Sequence, residues 1–169
     1  LKSWPNLRKL VCTETNITSL KHITHCPDIE EIIINKNHLL SLKGIENCKK
    51  LINLDCSINN LSSVSELSNC TNLECVNLSD NSLIDLSGPE LCTQLHTINC
   101  NNTLIKSFRP IVNLPHLRSF RFPPLVGLTE PETRLLNKLK NNQLKFENMP
   151  FYSPSNKNIK NNAYGYQIY

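Results

Sequence analysis

The sequence predicts an α/β solenoid, in which short parallel strands stack side by side and a single helix covers the C-terminal end. Three observations support this fold class. Apolar residues recur every 22 residues, without insertion or deletion, from Leu7 to Leu117. They occupy the same positions within each period, and a helical pattern begins only after the last period ends. A fixed period of this length indicates a repeat architecture, because one turn cannot bury its apolar face alone whereas stacked turns can.

Each period begins with a short strand. If its first residue is position 1, the periods begin at Leu7, Ile29, Leu51, Leu73, Leu95 and Leu117. Positions 1, 4 and 6 are apolar, and position 4 holds Leu10, Ile32, Leu54, Val76, Ile98 and Phe120. Alternate side chains of a strand share a face, so we expect this set to point inward from parallel strands about 4.8 Å apart. Apolar residues at positions 11, 14 and 17 should point inward from the returning segment.

Position 9 is polar in every full period. It holds Thr15, Asn37, Asn59, Asn81 and Thr103. An asparagine amide both donates and accepts hydrogen bonds, so these side chains should satisfy buried backbone groups where the chain leaves the strand. Repeated in each turn, they should form a polar ladder.

The resulting pattern, LxxLxLxxNxLxxLxxLxxCxx over residues 1–125, resembles the leucine-rich repeat in its 22-residue form. The resemblance implies a curved, right-handed horseshoe with a concave parallel sheet and short 3-10 or loop segments on the convex side. It places a partial turn first, then five full repeats from residues 7, 29, 51, 73 and 95, and a terminal strand from residue 117. Pro89 is the one misfit, at position 17 of the fourth repeat, and we expect a local distortion over residues 87–90.

The two ends depart from the pattern in different ways. Leu1 and Trp4 match positions 17 and 20 of an earlier turn, so either Trp4 acts as a cap or the chain is part of a longer array, the alternative we favour. At the other end, Thr129 and Glu132 form a T-x-x-E capping box, which predicts a helix of about three turns within a cap over residues 126–149. The apolar face of this helix holds Leu135, Leu136 and Leu139.

The last segment, residues 150–169, is rich in Asn and Tyr. This composition is typical of disorder, but its aromatic side chains favour packing on the solenoid or on a neighbouring molecule. A further alternative is that the tail competes for the binding surface.

Charge and hydropathy argue against several classes of protein. The net charge is only +4 and the basic residues are scattered, so composition gives no case for nucleic acid. No apolar stretch reaches the roughly 18 residues that a membrane-spanning helix needs. No secretion signal is recognisable, although a chain that begins with Leu makes that absence uninformative. Five N-x-S/T sequons occur, about as many as chance gives in a chain so rich in Asn, Ser and Thr.

The cysteine positions predict a structural role. Seven of the eight cysteines fall at position 6 or 20, where the repeat needs a small buried apolar group. No CxxC pair occurs, so we expect free thiols without disulfides, metal or any other cofactor. Unpaired thiols favour an intracellular compartment, cytoplasmic or nuclear, and a cell-surface location is the alternative.

Cys75 is the exception, at position 3 on the strand face that we expect to be exposed. A cysteine nucleophile needs a nearby base, and His96 is poorly placed for this role at position 2 of the next strand. No oxyanion-hole, phosphate-loop or nucleotide motif is recognisable. We therefore assign no catalytic residue, and we expect that the chain is not an enzyme.

Side chains that point out of the concave sheet are the natural binding surface of a solenoid. The partner-binding candidates are Val11, Ile33, Ile52, Asp55, Ile58, Glu74, Cys75, Asn77, His96, Asn99, Arg118 and Arg121. Three of them, Ile33, Ile52 and Ile58, are apolar where the repeat does not require it. Such residues are typical of a partner site or of scattered surface positions.

Charge changes along this face. The middle strands carry an acidic zone of Asp55, Glu74 and Asp80. The last strand carries Arg118 and Arg121, with Lys106 and Arg109 nearby in the sequence. A graded surface of this kind suits an extended peptide or a helix with its own polarity.

The resemblance implies protein recognition, and we expect a protein-binding module or scaffold that holds a protein partner on its concave sheet. Similar short repeats occur in a nuclear phosphatase regulatory subunit, a spliceosomal subunit, a dynein light chain and bacterial internalins, so the sequence does not name the partner. The first alternative is a regulatory or targeting segment of a larger enzyme or effector. The second is a nucleic-acid-associated subunit, against which Glu30, Glu31 and Asp55 argue.

Overall fold

A computed structural model describes residues 4–123 and 128–141 of the chain. Six short parallel strands form one sheet in sequence order. They are β1 (Lys9–Val11), β2 (Glu31–Ile33), β3 (Asn53–Asp55), β4 (Cys75–Asn77), β5 (Thr97–Asn99) and β6 (Ser119–Arg121). Each residue pairs with the residue 22 positions later, as Leu54 does with Val76. The predicted register and parallel sheet are confirmed.

The convex side returns through 3-10 turns, as predicted. They span Lys21–His25, Ile45–Asn47, Ser65–Asn69 and Pro89–Leu91. Each turn buries the residue at position 17 against the sheet, and Ile45 and Leu67 have no exposed surface. The turns are short because a 3-10 helix has poorer hydrogen-bond geometry than an α-helix and is used in short pieces.

The expected distortion at Pro89 is wrong. Pro89 is buried as the first residue of its 3-10 turn, where a proline is tolerated because no backbone N–H is needed there. Gly88 precedes it with φ 119°, as Gly44 with φ 114° precedes the equivalent turn of the second repeat. A side chain at residue 88 is not accommodated, because a β-carbon would collide with the carbonyl oxygen of Val64. The fourth repeat therefore keeps the turn of the second.

The core is a stack of aliphatic columns completed by thiols. The cysteines at position 20 lie in the core, where the Cys70 thiol donates to the carbonyl of Ile45 at 3.6 Å and the Cys92 thiol to that of Leu67 at 3.3 Å. Burial raises the pKa of Cys70 to about 11 and that of Cys92 to about 12. All eight cysteines are free. The predicted core placement of these thiols is confirmed.

A ladder of asparagines satisfies the backbone where each strand ends. The amide nitrogen of Asn81 donates to the carbonyls of Cys56, Leu78 and Ser79 at 3.0–3.2 Å. Its side-chain oxygen accepts from the N–H of Leu61 in the preceding repeat at 3.0 Å. Asn37 and Asn59 make equivalent bonds, each to carbonyls of its own and the preceding repeat and from an N–H of the preceding repeat. The predicted ladder is confirmed, and each rung joins two repeats.

Helix α1 (Glu130–Asn141) packs against the last repeat. Leu136 and Leu139 are buried in the common core and Leu135 is half-buried, so the predicted apolar face is confirmed. Residues 142–169 lie outside the described residues, so the tail and the end of the proposed cap remain predictions, as does the assignment of Leu1. Among the helices that the structure describes, none has the length and apolar character needed to cross a membrane.

The role of Glu132 differs from the expected capping box. Its carboxylate accepts from the N–H of Phe108 at 3.0 Å and from the hydroxyl of Ser107 at 3.2 Å, and Arg109 lies 3.6 Å away. Glu132 therefore ties the helix to the fifth repeat and does not close the helix's own first turn. The capping-box expectation is wrong because the free backbone N–H of Phe108 lies within reach of the carboxylate.

We expect Asn81→Ala to lower the free energy of unfolding by about 2–4 kcal/mol, because it leaves the buried N–H of Leu61 and several carbonyls without partners. Urea unfolding followed by circular dichroism measures the change. Asn60→Ala is the control, since Asn60 is exposed at the next position of the preceding repeat and should change stability by less than about 0.5 kcal/mol. Equal losses in the two variants would contradict the ladder's role.

Candidate functional site

The concave face consists of rows of side chains that run across the strands. Because every strand is offset by 22 residues, position 5 of successive repeats lies in one row. This row is Val11, Ile33, Asp55, Asn77, Asn99 and Arg121. A second row, from position 3, is Lys9, Glu31, Asn53, Cys75, Thr97 and Ser119. The structure therefore brings six of the sequence-predicted site residues into a single line.

The middle of the first row is hydrogen-bonded within itself. The side-chain oxygen of Asn77 accepts from the amide nitrogen of Asn99 at 2.9 Å and from the hydroxyl of Ser79 at 3.0 Å. Asn99 in turn accepts from the N–H of Asn101 at 3.2 Å. Asn77 and Asn99 are only 6% and 7% exposed, although they point toward the concave side. They form the floor of the site and offer little surface to a partner.

Asp55 occupies the equivalent place one strand earlier, with a carboxylate in place of the amide. One carboxylate oxygen accepts from the N–H of Ser57 at 3.0 Å and from its hydroxyl at 2.7 Å. Within the described part of the chain it forms no ion pair. Asp55 is half-buried, so its negative charge is open to a partner from the concave side.

Charges on the first two strands neutralise one another. Arg8 lies 3.3 Å from Glu30, and Lys9 lies 2.9 Å from Glu31, the latter pair being largely buried. This half of the face carries apolar and paired groups, with Val11 beside Ile33 in the row.

The last strand carries basic side chains that no described residue neutralises. Neither Arg118 nor Arg121 forms an ion pair with any residue that the structure describes. Arg109, which the sequence placed near them, instead pairs with Glu132 of α1 at 3.6 Å. Among the described residues, the basic end of the concave face therefore consists of Arg118 and Arg121.

The expectation that Cys75 is exposed is wrong. Its side chain is only 2% exposed, because His96 of the next repeat covers it with Nδ1 at 3.8 Å from the sulfur. His96 also lies 3.4 Å from the carboxylate of Glu74 and 3.1 Å from the hydroxyl of Thr97. The sequence therefore underestimated the contact between Cys75 and His96, which are 21 residues apart in the chain.

This cysteine–histidine contact does not make a nucleophile. Burial raises the pKa of the Cys75 thiol to about 11, so the reactive thiolate is scarce at neutral pH. The His96 ring packs over the Cys75 sulfur and shields it from solvent. Over residues 4–123 and 128–141, no cluster of three or more His, Cys, Asp or Glu side chains is arranged to hold a metal ion.

The three candidate isoleucines lie at different places along the strands. Ile33 lies within β2, whereas Ile52 immediately precedes β3 and Ile58 follows it by three residues. Ile52 and Ile58 thus flank opposite ends of the same strand. Ile33 and Ile52 are half-buried, and Ile58 is 46% exposed.

Ile58 is also conformationally strained. Its φ is 53°, in the left-handed region that β-branched residues avoid. Position 8 adopts this conformation in every full repeat, where the other residues are Glu14, Lys36, Asp80 and Asn102. The shared geometry explains the conformation, but it does not explain why an exposed β-branched residue stands there.

Sequence reasoning missed an apolar edge beside the concave face. Leu40, Ile84 and Leu104 are each more than half exposed on the loops that follow the strands. The N–H of Leu104 donates to the carbonyl of Leu83 at 2.8 Å, which places Leu104 next to Ile84. These residues stand at positions 10 and 12 of the repeat, on either side of the inward-pointing position 11. Because alternate side chains point to opposite faces, this placement could have predicted their exposure from the sequence.

A shallow cavity of about 460 Å³ lies away from the concave face, between the fourth and fifth repeats. Glu90, Thr93, Arg109 and Asn113 supply its polar lining. None of the sequence-predicted site residues lines it, and Arg109 is already paired with Glu132.

Comparison with solved structures identifies the fold. An internalin (inlF) of Listeria monocytogenes is 23% identical and matches 82% of this chain and 46% of its own, with a TM-score of 0.58. A leucine-rich-repeat protein of Leptospira interrogans is 25% identical over 83% of this chain and 36% of its own, with a TM-score of 0.72. No family model matches the sequence, and no curated protein is significantly similar to it.

Two further structures have the same architecture. The functional domain of InlJ from Listeria monocytogenes, which includes a cysteine ladder, is 22% identical over 81% of this chain and 28% of its own, with a TM-score of 0.68. The ectodomain of the receptor kinase SOBIR1 from Arabidopsis thaliana is 24% identical over 67% of each chain, with a TM-score of 0.55. The chain thus has the leucine-rich-repeat fold, and it spans less than half the length of the internalin, InlJ and Leptospira proteins.

We expect Ile58→Asn to raise the free energy of unfolding by about 1 kcal/mol, because asparagine tolerates the left-handed conformation that Asn102 already adopts at this repeat position. Thermal unfolding measures the shift in Tm. Leu40→Asn is the control, since it also removes an exposed aliphatic side chain but at a residue without positive φ. A fall in Tm for Ile58→Asn would show that the side chain stabilises the fold and does not strain it.

We expect Cys12 to react with a thiol-specific reagent at least about tenfold faster than Cys75 in the folded protein at neutral pH. Cys12 is half-exposed, whereas Cys75 is covered and has a pKa of about 11, which leaves a thiolate fraction on the order of one in ten thousand. Mass spectrometry of labelled peptides measures both rates. Cys12→Ser should remove the fast reaction and Cys75→Ser should leave it intact, whereas preferential labelling of Cys75 would reinstate it as a reactive group.

Proposed function

We propose that this leucine-rich-repeat chain is a non-catalytic protein-binding module that holds a protein partner on its concave sheet. The observation that carries the proposal is the row of position-5 side chains across six strands, in which Asp55 and Arg121 form no ion pair with any residue that the structure describes. The fold supports the same function, because the concave face of a solenoid is an extended binding surface.

The chemistry of the site supports binding and not catalysis. The one thiol with a neighbouring histidine, Cys75, is buried and has a raised pKa. The acidic and basic side chains of Asp55, Glu74 and Arg118 are accessible at or beside the strands of an open sheet. Charged groups on an open sheet suit the recognition of another surface.

The alternatives make different demands on the chain. A regulatory or targeting segment of a larger enzyme or effector would use the same face, and the size of the natural gene product distinguishes it from a free-standing scaffold. A nucleic-acid-associated subunit needs a continuous basic face. Here Arg8 and Lys9 are neutralised by Glu30 and Glu31, so this alternative is the weaker.

The location that we propose is intracellular, cytoplasmic or nuclear. The eight free cysteines support a reducing compartment, since an oxidising one favours disulfides. A cell-surface location is the alternative.

The test is affinity capture from the natural source with a matched pair of charge variants. Arg118→Glu/Arg121→Glu reverses two unpaired charges on the concave side, and Lys21→Glu/Lys43→Glu reverses two exposed charges at the start of the convex turns. Both variants change the net charge by the same amount. We expect the partner recovered by the wild type to fall by at least about tenfold in the concave variant and to persist in the convex one.

Circular dichroism and thermal unfolding first establish that both variants fold. A partner retained by the concave variant and lost by the convex variant would refute the proposal. A partner retained by both would place the interface on the apolar edge or outside the described residues, and would refute it equally.

A further inference from the structure

We infer that the part of the concave row from Asp55 through Asn77 and Asn99 to Arg121 binds a helix of the partner. This helix carries a basic and an acidic side chain about two to three turns apart. The inference rests on the proposed function and adds the chemistry of the partner. It follows from the spacing of two charges without described ion-pair partners and from the burial and mutual hydrogen bond of the two asparagines between them.

The two charges lie at the ends of one straight row. Asp55 is in register with Asn77, Asn77 with Asn99, and Asn99 with Arg121. Three strand spacings of about 4.8 Å therefore separate the acidic from the basic position by about 14 Å. At this distance the opposite charges cannot form an ion pair with each other and are largely screened by salt. Each is thus available to a complementary charge from outside.

The residues between them offer little to an extended chain. Asn77 and Asn99 are buried and hydrogen-bonded to each other, and Asn99 also accepts from the N–H of Asn101. The backbone groups of β4 and β5 are engaged on both sides within the parallel sheet. An extended peptide lying across this floor would leave its own N–H and C=O groups without partners, which costs free energy when they are buried. A helix satisfies its own backbone and brings only side chains.

The helix geometry then determines the spacing of the two charged residues in the partner. Residues at i, i+8 and i+11 lie on one face of a helix, and with a rise of 1.5 Å per residue they are about 12 Å and 16.5 Å apart. These separations bracket the distance of about 14 Å between the two charges. The partner helix should therefore present Lys or Arg above Asp55 and Asp or Glu, eight or eleven residues away, above Arg121.

Asp55→Asn is an isosteric test of the acidic end. Asparagine at this place accepts the same hydrogen bond from the residue two positions later, as Asn77 does from Ser79 and Asn99 from Asn101. The variant should therefore fold as the wild type does and lose only the charge. Asp85→Asn is the matched control, because Asp85 accepts from the N–H of Ser87 at 2.8 Å in the same way but lies away from the concave face.

Arg121→Gln tests the basic end. No side-chain hydrogen bond or ion pair holds the Arg121 guanidinium among the described residues, and its carbonyl, which accepts from Cys100, is unchanged by the substitution. Lys43→Gln is the control for loss of one exposed positive charge from the convex side.

The experiment selects helices against the full chain and then measures a double-mutant cycle. A displayed library of helical peptides about 20 residues long, randomised along one face, is selected on the wild type. The recovered peptides are synthesised, each also with its basic or its acidic residue replaced by Gln. We expect Asp55→Asn to weaken binding about fivefold only for peptides that keep the basic residue, and Arg121→Gln to do so only for those that keep the acidic one.

Binding should be unaffected by Asp85→Asn and Lys43→Gln. Recovered helices without an acidic and a basic residue at the stated spacing, or with affinities that neither concave variant changes, would overturn the inference. Recovery only of peptides that bind in an extended form would overturn it as well. If the natural partner is nevertheless lost by Arg118→Glu/Arg121→Glu in the capture experiment, the proposed function stands and only the partner's chemistry is wrong.

Discussion

The structure depends on one set of hydrogen bonds, in which the asparagines at position 9 of the second, third and fourth repeats satisfy the backbone where the strand ends. At this corner the chain turns away from the sheet, and its N–H and C=O groups are buried without strand partners. Asn59 and Asn81 each donate to carbonyls of their own and the preceding repeat and accept from an N–H of the preceding repeat. These bonds repeat from one turn to the next, and position 8 of the corner has a positive φ in all five full repeats.

A constant corner has a consequence on the opposite, concave side. Because every repeat has the same length, equivalent side chains lie in straight rows, and neighbours in a row are 22 residues apart in the chain. Each side chain is therefore surrounded by residues of other repeats. Asn77 and Asn99 bond to each other, and Asp55 and Arg121 lie on either side of this pair in the same row. The charge pattern of the surface is thus a product of the register as much as of the residues.

The differences from expectation share one cause. Pro89, Glu132 and Cys75 were each interpreted from their own local pattern, whereas each is governed by a group from another part of the chain. Pro89 fits because Gly88 lets the turn form against Val64. Glu132 reaches the fifth repeat, 24 residues earlier. Cys75 is covered by His96, so its position on the strand did not decide its exposure.

The sequence by itself determined the period, the inward columns, the strand register, the polar ladder and the terminal helix. All of these follow from periodicity, which a single chain displays in full. Only the tertiary structure decided which outward residues are accessible, because exposure on a sheet depends on the size and bonding of side chains on adjacent strands. Asn77 and Asn99 became a closed floor and Ile58 stayed exposed in a left-handed conformation. Contacts between neighbouring repeats determine which outward side chains are accessible, and no local sequence pattern encodes these contacts.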